Sequence, residues 1–491
     1  MNFSDMTWRR KFSMNLCKSL NVPMASMTFS SDFTVTDRGN LYPLIAKSEG
    51  TTEKVSPTGY SVKSEGGYAE RLFCSLFPFA TYRMKLGKLD GAAGFVFKGE
   101  GAECKVMLEK DDWDTNIRVT HADGEDIVKT PSFEPNDNFA LVVTLRPGFF
   151  DVYICENGKY YFIHTSEVPS FNESNKDSFY NAAKVHVRIE GRAKITLAES
   201  YVDCGIGQAD IRPFRYENGD IIVENGRIFL TFSVRLASGA HQGVFSWVPG
   251  TSDFRMEGAL FYSVGDGYTH GDVATAFVFN RRDKKWHLWQ RSAAAGHVLA
   301  YACFEADVRY GVNIIDVKPL PHMTEENRDD EAFLGKKGDE DPDFIYDEET
   351  NKWYFALCRV ADSTKKYQYF FFESDRPDSG YKCIGRGPVG DETGGSIVRL
   401  NGKLRFVCGN SFHAVSEYRV YNWGEFDKCE LLKCDYPDGG FRGWGTVMPI
   451  DFGTRRRYFW LTFDRTLMSS VFNWSYGNIY CFEAEGPFVL D

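Results

Sequence analysis

One phrase recurs along the second half of this chain: a strand-like run, a turn of Asn, Asp, Gly or charged residues, and a second strand opening on aromatic or aliphatic residues. It reads ADIRPFRYENGDIIVENGRIFLTFSVR (209–235), GDVATAFVFNRRDKKWHLWQR (271–291), DPDFIYDEETNKWYFALCR (341–359), GGSIVRLNGKLRFVCGN (394–410) and GTVMPIDFGTRRRYFWLTFDR (445–465). Trp286-His287, Trp353-Tyr354 and Tyr458-Phe459 fall at matching places, which argues against accident. Further strand-like pieces follow, such as QGVFSWV then GALFYSV, so each unit holds about four strands. Five units over 207–491 give about 57 residues each, the size of a propeller blade. The expected class is all-β, with a five-bladed β-propeller over 207–491.

The remainder divides into an N-terminal extension, 1–27, and a second all-β region, 28–206. In that region TYRMKLG (81–87), AGFVFKG (93–99), NFALVVTLRPG (138–148) and KVHVRIEG (184–191) alternate with polar turns such as Asn157-Gly158. Two packed antiparallel sheets, a β-sandwich, are expected, and the strand order is similar to the concanavalin-type lectin sandwiches. Hydrophobic residues at 43% and aromatics at 15% suit such a chain. With 57 Lys+Arg against 68 Asp+Glu the net charge is −11, so neither nucleic acid nor acidic lipid is an expected partner. The twelve Cys are scattered without a CxxC pair and read as free thiols, and Cys429 and Cys434 lack the second pair a structural zinc site requires. No apolar run is long enough to span a membrane, and Lys18, Asn21 and Pro23 interrupt any secretory h-region after Arg9 and Arg10. A cytoplasmic location is expected, or an extracellular or periplasmic one if a leader has been removed.

In a propeller the innermost strand of each blade lines the channel and the second strand returns to the rim where the first began. First-strand starts and second-strand ends therefore share one face. That places Asp210, Asp272, Asp341 and Glu392 around one mouth. A single Asp more often caps a turn, but four acids together raise one another's pKa, which is costly unless they bind a cation or do acid/base work.

Asp341-Pro342, continuing as DFIYDEETNKWYFAL, resembles the Asp-Pro motif of the five-bladed propeller glycosidases, the invertase/levanase and arabinanase/xylosidase superfamilies. Their other essential acids are an Asp on the first blade's inner strand and a Glu opening the blade after the Asp-Pro. Asp210 and Glu392 match in order, 131 residues before and 51 residues after Asp341. Asp210 is followed by Ile211-Arg212 where the family has Pro, and Asp220 in GDIIVENGRIFL competes for the first role; Glu392 is followed by Thr393-Gly394-Gly395, so its flanking pocket must differ. The resemblance implies glycoside hydrolysis through an oxocarbenium-like transition state. Glu392 would be the general acid, with a raised pKa, Asp210 the base or nucleophile, and Asp341 the stabiliser of charge that tunes Glu392. A carboxyl separation of about 5–5.5 Å predicts retention and about 6.5–9.5 Å inversion. No cofactor is required, although Ca²⁺ in the central channel is possible by resemblance.

The repeat adds a second feature. Second strands end in Arg235, Arg291, Arg359 and Arg465, which the alignment puts at one rim position, with Arg212 and Arg442 nearby. Some would pair with the Asp cluster; others could grip an anionic substrate through forked hydrogen bonds. His241, His270 and His413 fall near the same rim, as do the aromatics Trp247, Tyr268, Phe412 and Trp444, of which Trp444 is the best candidate to stack on a sugar. The expected function is an exo-acting glycoside hydrolase that releases a terminal sugar from a plant or microbial oligosaccharide or polysaccharide, acidic or acid-decorated like pectin. The alternatives are a non-catalytic carbohydrate-binding protein, or a glycan phosphorylase or lyase on the same fold.

Overall fold

The computed structural model describes residues 6–27, 29, 42–110, 114–131, 139–320, 338–361, 366–390, 392–400, 402–410, 418–432, 442–464 and 478–484. They form two compact units: one of residues 21–203 with 267–269, the other of 1–20, 204–266 and 270–491. No helix among the described residues is long and apolar enough to cross a membrane.

The first unit is a twelve-stranded hydrogen-bonded network built on three long strands, Gly59–Ser75, Thr81–Gly99 and Lys184–Asp203. The last of these changes partners along its length. Residues 184–195 lie between Gly59–Ser75 and the second half of Thr81–Gly99, while residues 195–203 lie between the first half of that strand and Asn21–Met27. Gly91 faces Gly191 at this crossing, and a Cβ on Gly91 would sit 2.4 Å from the Glu190 carbonyl oxygen. One core serves both halves: Tyr82, Phe95, Phe97, Leu141, Phe150 and Val187 are all fully buried. Their alternation along each strand places every second side chain inside.

The second unit is a five-bladed β-propeller. Its inner strands are Gly207–Pro213, Val273–Asn280, Glu340–Asp347, Glu392–Leu400 and Arg442–Phe452, each antiparallel to the second strand of its own blade. Each inner strand packs beside the next, and the fifth packs beside the first, closing the ring. Aromatic residues on the second strands fill the spaces between blades. Trp286 meets Phe214 edge-on at 5.5 Å, and Trp289 stacks on Phe355 at 4.3 Å.

The region set apart as an N-terminal extension, 1–27, divides between the units. Trp8–Met14 is the fourth strand of the fifth blade, paired antiparallel with Ile479–Ala484, whereas Asn21–Met27 joins the other unit. Strands far apart in sequence thus complete one sheet, with Trp8–Met14 as its outer strand. Trp8 is fully buried with its ring 6.1 Å from Trp460. Trp8→Ala is expected to destabilise the propeller by about 3–5 kcal/mol. Urea unfolding followed by tryptophan fluorescence checks this, since nine of the ten tryptophans lie outside 28–206.

Candidate active site

Every inner strand carries a bulge near its start, where two of its residues oppose a break in the register of the second strand. The residue that opens the bulge has a left-handed backbone in four blades: Asp210 (φ 49°), Ala274 (φ 59°), Asp341 (φ 50°) and Gly394 (φ 62°). Asp tolerates that region better than most residues because its short polar side chain can bond locally. Pro342 takes the second bulge position, where no ladder N–H is needed, which explains the Asp-Pro pair physically.

This alignment separates the four predicted acids into two pairs. Asp210 and Asp341 occupy the same bulge position in blades one and three. Asp272 and Glu392 lie two residues before it in blades two and four, as does Asp339 in blade three. Asp220 is elsewhere: it is exposed in the turn beyond the far end of the first inner strand, bonded to Asn218. Of the two candidates for the first acid, Asp210 is the one at the mouth.

Asp341 is the most perturbed carboxyl of the set. Its surroundings exclude water and the Asp210 and Glu340 carboxylates lie close, which together push it up to about 7 against the opposing pull of Arg212 and the Gly394 N–H. Gly394 donates to Asp341 Oδ2 at 3.0 Å, and the Cys358 thiol points to the same oxygen at 3.7 Å. Asp341 is thus tied to the blade that carries Glu392.

Glu392 is fully buried. Its Oε1 accepts from Arg419 Nη1 at 2.7 Å and from the Tyr421 hydroxyl. Its Oε2, like Thr393 Oγ1 next to it, has no hydrogen-bond partner among the described residues. A buried carboxylate oxygen left open in this way is uncommon and sets Glu392 apart from the acids whose oxygens are met locally. Asp272, by contrast, is engaged locally: Ser292 Oγ donates at 2.9 Å and the Ala293 N–H at 3.1 Å, while burial raises its pKa.

The arginines do not share one rim position, because they lie at unequal distances past the bulge. Ser233, Arg291 and Cys358 are the corresponding residues, facing Ala209, Val273 and Glu340. Arg235 is therefore two residues further on and Arg359 one, and Arg465 lies outside the described residues. Each described arginine meets a carboxylate: Arg235 with Asp210 at 3.5 Å, Arg291 with Glu340 at 3.3 Å and Arg359 with Asp339 at 2.8 Å. Arg212 is buried and reaches across the channel to the Gly395 carbonyl in blade four at 2.7 Å.

Below it the sequence reading missed the residue that spans the ring. Arg215 donates to Asp343 Oδ1 at 2.5 Å, to the Phe344 carbonyl at 2.7 Å and to the Ile397 carbonyl at 2.7 Å. Asp343 Oδ2 in turn accepts the Ile397 N–H at 2.6 Å. Ca²⁺ in the channel would meet two guanidinium groups there instead of a set of oxygen ligands, so the described residues do not fit it. Asp339, Arg419 and Tyr421 were also unforeseen.

His270 sits at the mouth end of blade two, its Nε2 2.9 Å from Asp266 Oδ2. His241 is buried beside Phe261. Trp247 is at the far end of its strand, fully buried, with its indole N–H bonded to the Thr251 carbonyl at 2.7 Å, so it is core and not a sugar platform. Tyr268 belongs to the other unit. His413, Phe412 and the side chains of Arg442 and Trp444 lie outside the described residues. In the other unit a groove of about 430 Å³ is lined by Tyr68, Glu109, Asn116, Arg118 and Arg188 among others.

No protein-family model matches the chain, and no curated protein matches it. Among solved structures, a family 43 β-1,3-galactosidase with galactodeoxynojirimycin aligns over 58% of this chain and 94% of its own, at 12% identity and a TM-score of 0.38. An α-L-arabinofuranosidase from Podospora anserina in complex with cellotriose aligns over 57% and 98%, at 12% identity and a TM-score of 0.38. A carbohydrate-binding module from Bacillus subtilis aligns over 33% and 94%, at 12% identity and a TM-score of 0.25.

Because the folded protein holds a proton on Asp341 up to about pH 7 and the unfolded chain releases it near 4, folding stability falls as pH rises through that window. Asp341→Asn removes this loss. The variant is expected to gain stability over the wild type between pH 4 and 8, which denaturant titrations at those two pH values would measure; an unchanged difference would contradict the assignment.

Proposed function

We propose that the propeller mouth is the active site of a glycoside hydrolase. The observation that carries the reading is the grouping of Asp210 and Asp341 at one bulge position, with Asp341 bonded to Gly394 on the strand opened by the buried Glu392. In this reading Glu392 Oε2 gives a proton to the leaving oxygen as the glycosidic C–O bond breaks. Asp210 takes a proton from the attacking water, or itself bonds the anomeric carbon before water releases the sugar. Asp341 is the group able to hold and return a proton near neutrality. The substrate is an oligosaccharide or polysaccharide entered from one end, which suits release of a terminal sugar. An acidic or acid-decorated glycan is favoured by Arg235 and Arg291, which keep 21% and 27% of their side-chain surface exposed at the rim.

The hold of Arg419 and Tyr421 on a fully covered Glu392 favours a second reading, a propeller that binds glycan without cutting it. A panel of neutral and acidic oligosaccharides separates the two. Wild type is expected to release one terminal sugar, with Glu392→Gln, Asp210→Asn and Asp341→Asn each slower by about 10²–10⁴-fold. Equal release by wild type and all three variants would remove the carboxylates from the chemistry. Binding without release would establish the second reading.

A further inference from the structure

On the face of the propeller away from the mouth, blade two brings three different metal-binding side chains together. Asp283 lies in the turn between the first and second strands of that blade, His287 is four residues on, near the start of the second strand, and Cys303 is directly opposite His287 on the third. One ligand atom from each lies within 4.8 Å of the other two. His287 Nε2 is 2.8 Å from Asp283 Oδ2 and 4.0 Å from Cys303 Sγ. The imidazole is almost wholly buried, at 3% of its side-chain surface, while Asp283 and Cys303 are exposed and leave the cluster open to solvent.

The arrangement of the imidazole decides between two uses of such a trio. In a nucleophilic relay the carboxylate and the thiol engage opposite ring nitrogens, so that one orients the ring and the other gives up its proton. Here both converge on Nε2, and Nδ1 faces the Tyr301 hydroxyl at 2.6 Å. That is the pattern of a metal ligand: one nitrogen aimed at a point shared with other donors, the other fixed by an outer hydrogen bond. Ligand bonds of about 2.0–2.3 Å to a tetrahedral ion put the donors roughly 3.3–3.8 Å apart. The carboxylate would withdraw and the thiol approach by less than about an ångström to reach that spacing.

We infer that Asp283, His287 and Cys303 form a binding site for a divalent cation of the zinc type, with water in the fourth position. The mixed S, N, O donor set selects a borderline ion over Mg²⁺ or Ca²⁺, which take all-oxygen shells. The neighbouring blades lack the imidazole: the position of His287 is held by Tyr354 in blade three and Arg405 in blade four. Tyr301 acts as a positioning residue that keeps Nε2 directed at the ion.

The test is binding of Co²⁺ to the untagged full-length chain after chelator treatment, followed by absorption spectroscopy, with Zn²⁺ competition in the same cuvette. One Co²⁺ per chain is expected, giving a thiolate-to-cobalt charge-transfer band and the intense visible bands of four-coordination, both displaced by Zn²⁺. Cys303→Ser should abolish the charge-transfer band, and Tyr301→Phe should weaken binding by about 10–100-fold. Cys429→Ser removes another exposed thiol and should change nothing. Cobalt bound without the thiolate band, a band that survives Cys303→Ser or disappears in Cys429→Ser, or no binding at one equivalent would each overturn the inference. Circular dichroism of Cys303→Ser, a change at an exposed position, separates loss of a ligand from loss of fold.

Discussion

The guanidinium of Arg215 ties together blades that are not neighbours in the ring. From a short strand, Arg215–Tyr216, paired parallel with the inner strand of the second blade, it reaches an aspartate and a carbonyl in the third and a carbonyl in the fourth, all in the buried channel. A charge in that position is costly to desolvate, and the carboxylate and two carbonyls that meet its two terminal nitrogens offset that cost. The consequence is geometric. Asp343, which answers Arg215, is two residues from Asp341, and Ile397, whose N–H and carbonyl complete the tie, is five from Glu392. The strands that carry Asp341 and Glu392 are therefore held at fixed heights by this tie, together with the bond from Arg212 to the Gly395 carbonyl.

Bulges then convert that common scaffold into differing chemistry. Each inner strand is interrupted at the same place, but the residue turned out by the interruption is Asp in two blades, Ala in one and Gly in another. A regular strand would alternate its side chains between the two neighbouring blades. The left-handed residue breaks that alternation and sets Asp341 in a buried position near the Asp210 carboxylate, where burial first and the neighbouring charges second let it hold its proton to about pH 7. The same left-handed geometry that strains Asp210 and Asp341 thus positions them together.

Much of this was legible in the sequence because propeller blades are local: strand, turn and strand fall within some thirty residues and repeat. The Asp-Pro pair was legible because a bulge both tolerates an aspartate and dispenses with an N–H at the next residue. What was hidden is what has no local signature. Trp8–Met14 pairs with a strand at the opposite end of the chain, so nothing beside it announces a blade. The common rim position of Arg235, Arg291 and Arg359 dissolved because a count along the sequence ignores how far each chain runs past its bulge. Arg215 and Arg419 were passed over because an arginine inside a strand pattern looks like any solvated charge until its partners across the ring are known.

The balance of charge at the mouth follows from those partners. Asp339, Glu340 and Glu392 each meet a guanidinium at 3.3 Å or less, so the acids do not present an undivided negative field. Asp210 is held more loosely. Its contact with Arg235 is 3.5 Å long and joins one carboxylate oxygen, Asp210 Oδ2, to one guanidinium nitrogen of a partly exposed arginine. Such a pair is worth little in water and yields first to any stronger anion. The shorter pairs of Asp339, Glu340 and Glu392 hold those three carboxylates in place, so the mouth combines acids fixed by guanidinium groups with one that is held more loosely.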